Sequence, residues 1–295
     1  MSKYIVCPIC GCDNTKKLFE KQDCSFVQCM NDSLVYVNPQ PETKDLKDIY
    51  DTYGKAIHIT ADPIAENKEY NEFGRYFHAF RETNHLLEIG CAAGGFLLRC
   101  RNDGWETYGA ELSKPSSEYA RNERGLDVTT GTIHDAKYPK DFFDVICLWK
   151  TLEHVPDPHE VLTEIHRILR KGGVFYLSVP SWNGLGIRLI GRKHQYIGRD
   201  HLFYFTQKNI KKLLMDVGFS NARTFTKGFN VKGVFRSILK KNLSSTEECT
   251  VGGSEASPCP RSFLRRSCPQ FIKSSLSRAL GLFNLGDALY VEAIK

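Results

Sequence analysis

From residue 84 onward the chain alternates short apolar runs with amphipathic segments, the pattern of a sheet wound with helices on both faces. The apolar runs predict strands over residues 86–90, 107–112, 127–131, 143–149, 173–179, 222–225 and 288–294. Between the fifth of these and the fourth, Val161, Leu162, Ile165, Ile168 and Leu169 recur at helical spacing. Asp157 and Pro158 precede that face as an opening signal, and Gly172 is expected to end it. Thr206 likewise predicts a cap for a helix with Ile210, Leu213, Leu214 and Val217 turned inward, closed by Gly218. An α/β, doubly wound fold is the expectation.

Outside this alternation the text changes. Residues 1–42 are dense in Cys, Pro, Asn and Asp and run into Asn38-Pro39-Gln40-Pro41, where the prolines disfavour regular structure. They read as a small module. Residues 43–83 are helical in pattern and rich in aromatics, among them Tyr50, Tyr53, Tyr70, Phe73, Tyr76, Phe77 and Phe80, which predicts a linker or lid over the main domain at 84–295. An insertion at about 228–283 interrupts that domain. Its Ser/Thr/Gly/Pro-rich stretch, 244–260, lacks periodicity and is expected to be a loop.

Composition narrows the classes. With 295 residues, 41% hydrophobic and 25% charged, the chain has enough material for one large core and an accessory. No stretch approaches the roughly 20 apolar residues of a membrane span, and no signal-peptide pattern precedes the first cysteines. Eleven cysteines, an odd number, point to reduced thiols and a local metal site in a cytoplasmic protein. Charge is uneven: 21 basic and 27 acidic residues lie in 1–180, against 19 and 7 in 181–295. Such a basic third can steer an anionic substrate or a membrane surface, or form a solvated face.

Candidate chemistry starts at Leu86-Leu87-Glu88-Ile89-Gly90-Cys91-Ala92-Ala93-Gly94-Gly95-Phe96, a predicted strand entering a glycine-bearing turn and a helix. Nucleotides bind at such turns, and the spelling also admits a nicotinamide-dependent oxidoreductase. Ala92 stands where a dinucleotide site needs a second glycine, so its methyl crowds a pyrophosphate. Glu88 adds an anion that repels phosphate but suits a ligand bearing an ammonium and a sulfonium. Glu111, ending the next predicted strand, can accept hydrogen bonds from both hydroxyls of a ribose.

LLEIGCAAGGF followed by YGAELS resembles the first two motifs of class I S-adenosylmethionine-dependent methyltransferases. FFDVICLWKTLEHVPDP, HRILRKGGVFYLSVPSWN and DHLFYFTQKNIKKLLMDVGF are similar to later segments of the bacterial type 23 and type 11 methyltransferase domains, over about 84–225 and again in GDALYVEAIK. The resemblance implies a Rossmann-like, seven-stranded, mostly parallel sheet with its last strand antiparallel. It also implies that Glu88, Gly90, Ala92 and Gly94 hold the methionine portion and the turn, and Glu111 the ribose. Ile133 would pack on the adenine, with His134 or Asp135 reaching its ring, and Trp149 would border the same site. Ala92, commonly glycine in the family, narrows the turn.

Methyl transfer is an in-line displacement, so alignment and exclusion of water matter most. A hydroxyl acceptor benefits from a base, for which His154 and His201 are candidates; helix entry and packing are their structural alternatives. Trp149, Lys150, Trp182 and Tyr196 border the same edge as these histidines and can shape an acceptor pocket, with closure of the core as the structural alternative for the aromatics. Arg188, Arg192, Lys193 and Arg199 can meet a phosphate or carboxylate, which fits a nucleotide sugar or lipid-linked glycan.

Cys7-Pro8-Ile9-Cys10 has the form of a zinc knuckle, and Cys29 with Asp32 repeats its spacing with oxygen in place of the fourth sulfur. A structural Cys3Asp zinc site is expected, with Cys12 or Cys24 as alternative fourth ligands. The stretch from Cys29 through Pro41 resembles the second half of the zinc ribbon preceding many bacterial methyltransferases, sugar methyltransferases among them. That combination favours a sugar or glycan-pathway acceptor. The rivals are an RNA methyltransferase or nucleic-acid-binding protein, disfavoured as a partner reading, and a nicotinamide-dependent oxidoreductase.

Overall fold

The structure is a computed structural model that describes residues 3–41, 51–52, 73, 76–229, 281 and 283–295. Most of the expected lid at 43–83 and most of the insertion at 228–283, including its 244–260 loop, lie outside the described residues. The main sheet has seven strands: β4 (His85–Ile89), β5 (Glu106–Glu111), β6 (Asp127–Thr130), β7 (Phe143–Trp149), β8 (Leu169–Pro180), β10 (Asn221–Lys227) and β11 (Ala288–Ile294). Their order is β10-β11-β8-β7-β4-β5-β6. β11 runs antiparallel to both its neighbours, and the pairs from β8 through β6 are parallel.

Side chains alternate across this sheet and fill a core on each face. Leu87, Ile146, Leu148, Phe175, Leu177 and Val291 enter one core, whereas Leu86, Val145, Cys147, Val174 and Tyr176 enter the other. Every residue of β7 except its last is buried, and apart from Asp144 the central strand reads as an apolar run. Each fully buried Leu, Ile or Phe there contributes about 1.5–3 kcal/mol of transfer free energy.

Helices α1 (Gly95–Asn102), α2 (Lys114–Asn122), α4 (Pro158–Ile168), α5 (Leu185–Ile190) and α6 (Gln207–Asp216) connect the strands, with a single turn α3 (Ile133–Ala136) after β6. Asp157 caps α4 by accepting from the Glu160 N–H at 3.0 Å. Thr206 caps α6 reciprocally with Asn209, and Gly218 follows it at φ +106°. One expected stop is corrected: α4 passes directly into β8 at Leu169, and Gly172 bends that strand at φ +74°, its N–H bonded to the Lys295 carbonyl at 3.0 Å.

The N-terminal residues form β1 (Thr15–Lys21), β2 (Cys24–Cys29) and β3 (Val35–Val37). Gln22 and Asp23, both at positive φ, make the tight turn between β1 and β2. β3 then pairs with β9 (Phe203–Tyr204), a strand from the far side of the chain. The module is thus completed by residues of the larger unit, and Cys7, Ile9, Val27, Leu34 and Tyr36 share a core with Leu202 and Phe203.

Candidate active site

Four parallel strands present their carboxyl ends to one edge, and the candidate cofactor residues lie there. Glu88 is the penultimate residue of β4, Glu111 the last of β5 and Trp149 the last of β7, while Ile133 and Asp135 follow β6. Gly90, Ala92 and Gly94 all take positive φ, at +72°, +47° and +76°. Gly94 caps α1 without a side chain. A Cβ on Gly90 would approach Thr151 Oγ1 to 2.5 Å, so the turn is pressed against the segment leaving β7. Ala92 occupies a conformation that its methyl makes unfavourable.

Glu111 ties this turn down. Its carboxylate accepts from the Ala92 N–H at 2.8 Å and from the Ser113 N–H at 2.7 Å. Burial pushes its pKa up, these backbone donors pull it down, and the net shift is upward. Two of its lone pairs are therefore occupied by the protein, a role the spacing did not reveal. Glu88 is fully buried, with Oε2 lacking a hydrogen-bond partner among the described residues. Burial, and then the charge of Glu111, drive its pKa well above the usual carboxylate range. Burial thus favours the protonated form of Glu88, and a cation beside it would favour the ion.

Asp135 is exposed and accepts from both the Thr132 N–H and hydroxyl, at 2.7 and 2.8 Å, capping α3. Ile133 is buried in the core. Trp149 packs among Phe73, Phe96 and Tyr176, with ring centroids 4.9–5.4 Å away.

The two candidate bases meet. His154, in the 3-10 turn Leu152–His154, and His201, just before β9, stack edge-to-face with centroids 4.6 Å apart. His154 Nδ1 donates to the Asp200 carbonyl at 2.7 Å. Burial, followed by the charge of His154, depresses the His201 pKa to about 4. Tyr196 is near both Lys150 and His201, whereas Arg188, Arg192, Lys193 and Arg199 are exposed. Sequence reasoning missed Glu153, whose buried carboxylate completes this cluster. Its adjacency to His154 was the available signal.

Cys7, Cys10, Cys29 and Asp32 also come together, with one donor atom from each within 4.8 Å of the others. Cys7 Sγ lies 3.1 Å from Asp32 Oδ2, and Cys10 Sγ lies 3.5 Å from Cys29 Sγ. A tetrahedral zinc with Zn–S near 2.3 Å needs sulfurs about 3.8 Å apart, so small adjustments admit the ion. Cys12 and Cys24 stand outside the cluster. Burial raises the Cys7 thiol and takes Cys10 to about 11. Burial also opposes ionisation of Asp32, but the Leu34 N–H and the thiols outweigh it and lower its pKa. The Cys7 thiol donates to Asp32 Oδ2.

Residues 64–224 match the methyltransferase domain family, and the chain belongs to that family. A ubiquinone biosynthesis O-methyltransferase from Proteus mirabilis is 31% identical over 105 residues, 33% of this chain and 42% of that protein. A fatty-acid O-methyltransferase from Mycolicibacterium smegmatis is 27% identical over 139 residues, 41% of this chain and 50% of its own length. The matches thus span half or less of these relatives.

Among solved structures, a SAM-dependent methyltransferase from Thermotoga maritima, described as a possible histamine N-methyltransferase, has a TM-score of 0.55 at 16% identity. It covers 85% of this chain and 99% of its own. One from Archaeoglobus fulgidus has a TM-score of 0.52 at 16% identity, covering 77% and 92%. At that identity these two establish a shared fold. No described helix is long and apolar enough to cross a membrane.

Proposed function

We propose that this chain methylates a hydroxyl on a small-molecule acceptor, using S-adenosylmethionine. The observation that carries the reading is the pair of buried glutamates, Glu88 and Glu111, at the ends of adjacent strands beside the Gly90 turn. Two acidic groups there oppose a diphosphate, while the unpartnered Glu88 oxygen suits a cationic amino acid moiety. S-adenosylmethionine, when bound, supplies a methyl group on an electrophilic sulfonium.

In this reading Glu88 ionises opposite the ligand's ammonium, and Glu111 uses its remaining lone pairs on the ribose. Gly90, Ala92 and Gly94 let the backbone approach the amino acid portion; Ile133 and the Thr132–Asp135 turn flank the adenine, and Trp149 walls the site. His154 or His201 accepts the hydroxyl proton. The three thiolates and Asp32 hold a structural zinc.

For the acceptor we favour a sugar or glycan-pathway intermediate, on the resemblance of the N-terminal module to ribbons in sugar methyltransferases. The exposed Arg188, Arg192, Lys193 and Arg199 add an anionic preference. The curated relatives above are named for ubiquinone biosynthesis and for fatty-acid O-methylation, which makes lipophilic hydroxyl or carboxyl acceptors the alternative class.

Calorimetry with S-adenosylhomocysteine and NADH tests the cofactor: tight binding of the first alone is expected, and tight NADH binding alone would overturn the reading. Labelled methyl transfer into nucleotide sugars, a catechol, a long-chain fatty acid and RNA then separates the acceptor classes.

A further inference from the structure

The turn after β7 places Glu153 and His154 side by side, and Asp200 and His201 pack against them. A carbonyl only accepts hydrogen bonds, so the 2.7 Å contact to the Asp200 oxygen puts the hydrogen of His154 on Nδ1 and its lone pair on Nε2. Glu153 is completely buried, and neither of its carboxylate oxygens has a hydrogen-bond partner among the described residues. A carboxyl withdrawn from water in this way keeps its charge only where nearby charge offsets the loss of hydration, and otherwise takes up a proton.

Burial is the largest influence and leaves the net pKa raised; His154, Lys150 and the residue's own backbone N–H favour the charged form, and Asp200 opposes it. The hydroxyls of Tyr196 and Tyr204 also sense its charge. His201 is held neutral by burial, His154 and Lys150, with Asp200 acting the other way. Of the two imidazoles, His154 has its tautomer fixed by a backbone carbonyl and lies within 4.8 Å of the buried carboxylate, whereas His201 Nδ1 is buried with no hydrogen-bond partner among the described residues.

We propose that Glu153 is a positioning residue whose carboxylate stabilises His154 as the base that receives the acceptor's proton. This rests on the hydroxyl-methylation reading above. In the step, the acceptor O–H bond breaks and its proton passes to His154 Nε2. The oxygen forms its bond to the methyl carbon as the carbon–sulfur bond breaks, with the electron pair remaining on sulfur. The new imidazolium faces the Glu153 carboxylate, while its Nδ1–H stays on the Asp200 carbonyl, an arrangement in which a fixed acceptor and a buried anion share the orienting role. A divalent cation is the competing occupant of Glu153, His154 and His201, and the ammonium of Lys150 disfavours it.

The experiment is a histidine-ring NMR titration of the full chain, with and without S-adenosylhomocysteine, for the wild type, E153Q and E153D, assigned through H154Q. In E153Q the His154 ring should take up its proton about tenfold less readily, while E153D retains most of the wild-type behaviour and homocysteine-nucleoside affinity changes less than twofold. A His154 titration unmoved in E153Q, with S-adenosylhomocysteine still bound, would overturn this proposal alone. Stoichiometric Zn²⁺ or Mg²⁺ shifting both rings in the wild type but not in E153Q would also overturn it, assigning the cluster to a metal. Failure of the wild type to bind S-adenosylhomocysteine would instead remove the methyl-transfer reading on which it stands.

Discussion

Glu111 accepts the backbone N–H of Ala92 at 2.8 Å, so the last residue of β5 clamps the turn that follows β4. The same carboxylate takes the Ser113 N–H at 2.7 Å, which joins the two strand ends through one side chain. In Glu111→Gln the amide retains one acceptor oxygen and turns a donor toward the other N–H. The cost should be about 1–3 kcal/mol of stability, read by urea unfolding. S-adenosylhomocysteine affinity should fall at least about tenfold with it, the equivalent of 1.4 kcal/mol. Unchanged stability and affinity would remove the clamp.

Glu88 sets a pH dependence whose sign follows from its raised pKa. The native state keeps the proton to higher pH than the unfolded chain, so its stabilising contribution is complete below the unfolded value. It is lost as pH rises toward the folded value. Ligand-free Glu88→Gln should therefore hold its melting temperature above the acid range better than the wild type. S-adenosylhomocysteine should stabilise the wild type more than the variant, because only the wild type can ionise opposite an ammonium. Parallel pH–melting curves for the two proteins would contradict this.

Gly90 meets two constraints at once, a left-handed backbone and the Thr151 side chain. Gly90→Ala should cost about 2–4 kcal/mol, part conformational and part steric. Adding Thr151→Ala to it should restore the steric part, giving a measurable coupling in a double-mutant cycle. Strict additivity would place the whole cost in the backbone.

The four-donor cluster at Cys7, Cys10, Cys29 and Asp32 predicts one zinc per chain by atomic emission. Cys29→Ser and Asp32→Ala should lose that metal, whereas Asp32→Cys should keep it with a fourth sulfur. Chelation should lower the melting temperature of the wild type and leave Cys29→Ser unmoved. A metal-free wild type as stable as the zinc-treated one would mean that the module stands on packing alone.

The central sheet was legible because β7 is apolar from Val145 to Trp149, β8 is apolar from Val174 to Pro180 apart from Ser178, and the glycines of the turn fall between a strand and a helix. Strand limits shifted by a few residues at most, except at β8, where Arg170 continues the strand. Arg170 is held by buried Asp144, which also accepts the Glu82, Thr83 and Asn84 N–H groups. That polar anchor has no apolar signature. β9 was not legible either: two aromatic residues carry no period, and their strand character comes from β3, more than 160 residues earlier in the chain.

At the candidate site, the positions of Glu88, Gly90 and Glu111 at strand ends followed from the motif spacing. What Glu111 already holds, and how fully Glu88 is buried, did not. Both depend on side-chain direction and on groups distant in sequence, such as the Ala92 N–H that Glu111 accepts from 19 residues away. The pairs Cys7/Cys10 and Cys29/Asp32 were readable because each is a local spacing, and the fold brings the two pairs together.

The pairing of β3 with β9 carries a consequence for biosynthesis. When Val35–Val37 leave the ribosome, their partner Phe203–Tyr204 is still untranslated. At roughly 5–20 residues per second, that open strand edge waits on the order of ten seconds before it can be closed. Charged Lys16, Lys17, Glu20 and Lys21 guard the opposite border of the same sheet, but β3 is wholly apolar. Metal capture by the nascent cysteines would be the earliest event able to hold this segment in shape, and zinc-starved cells should accumulate the chain in aggregates formed during translation.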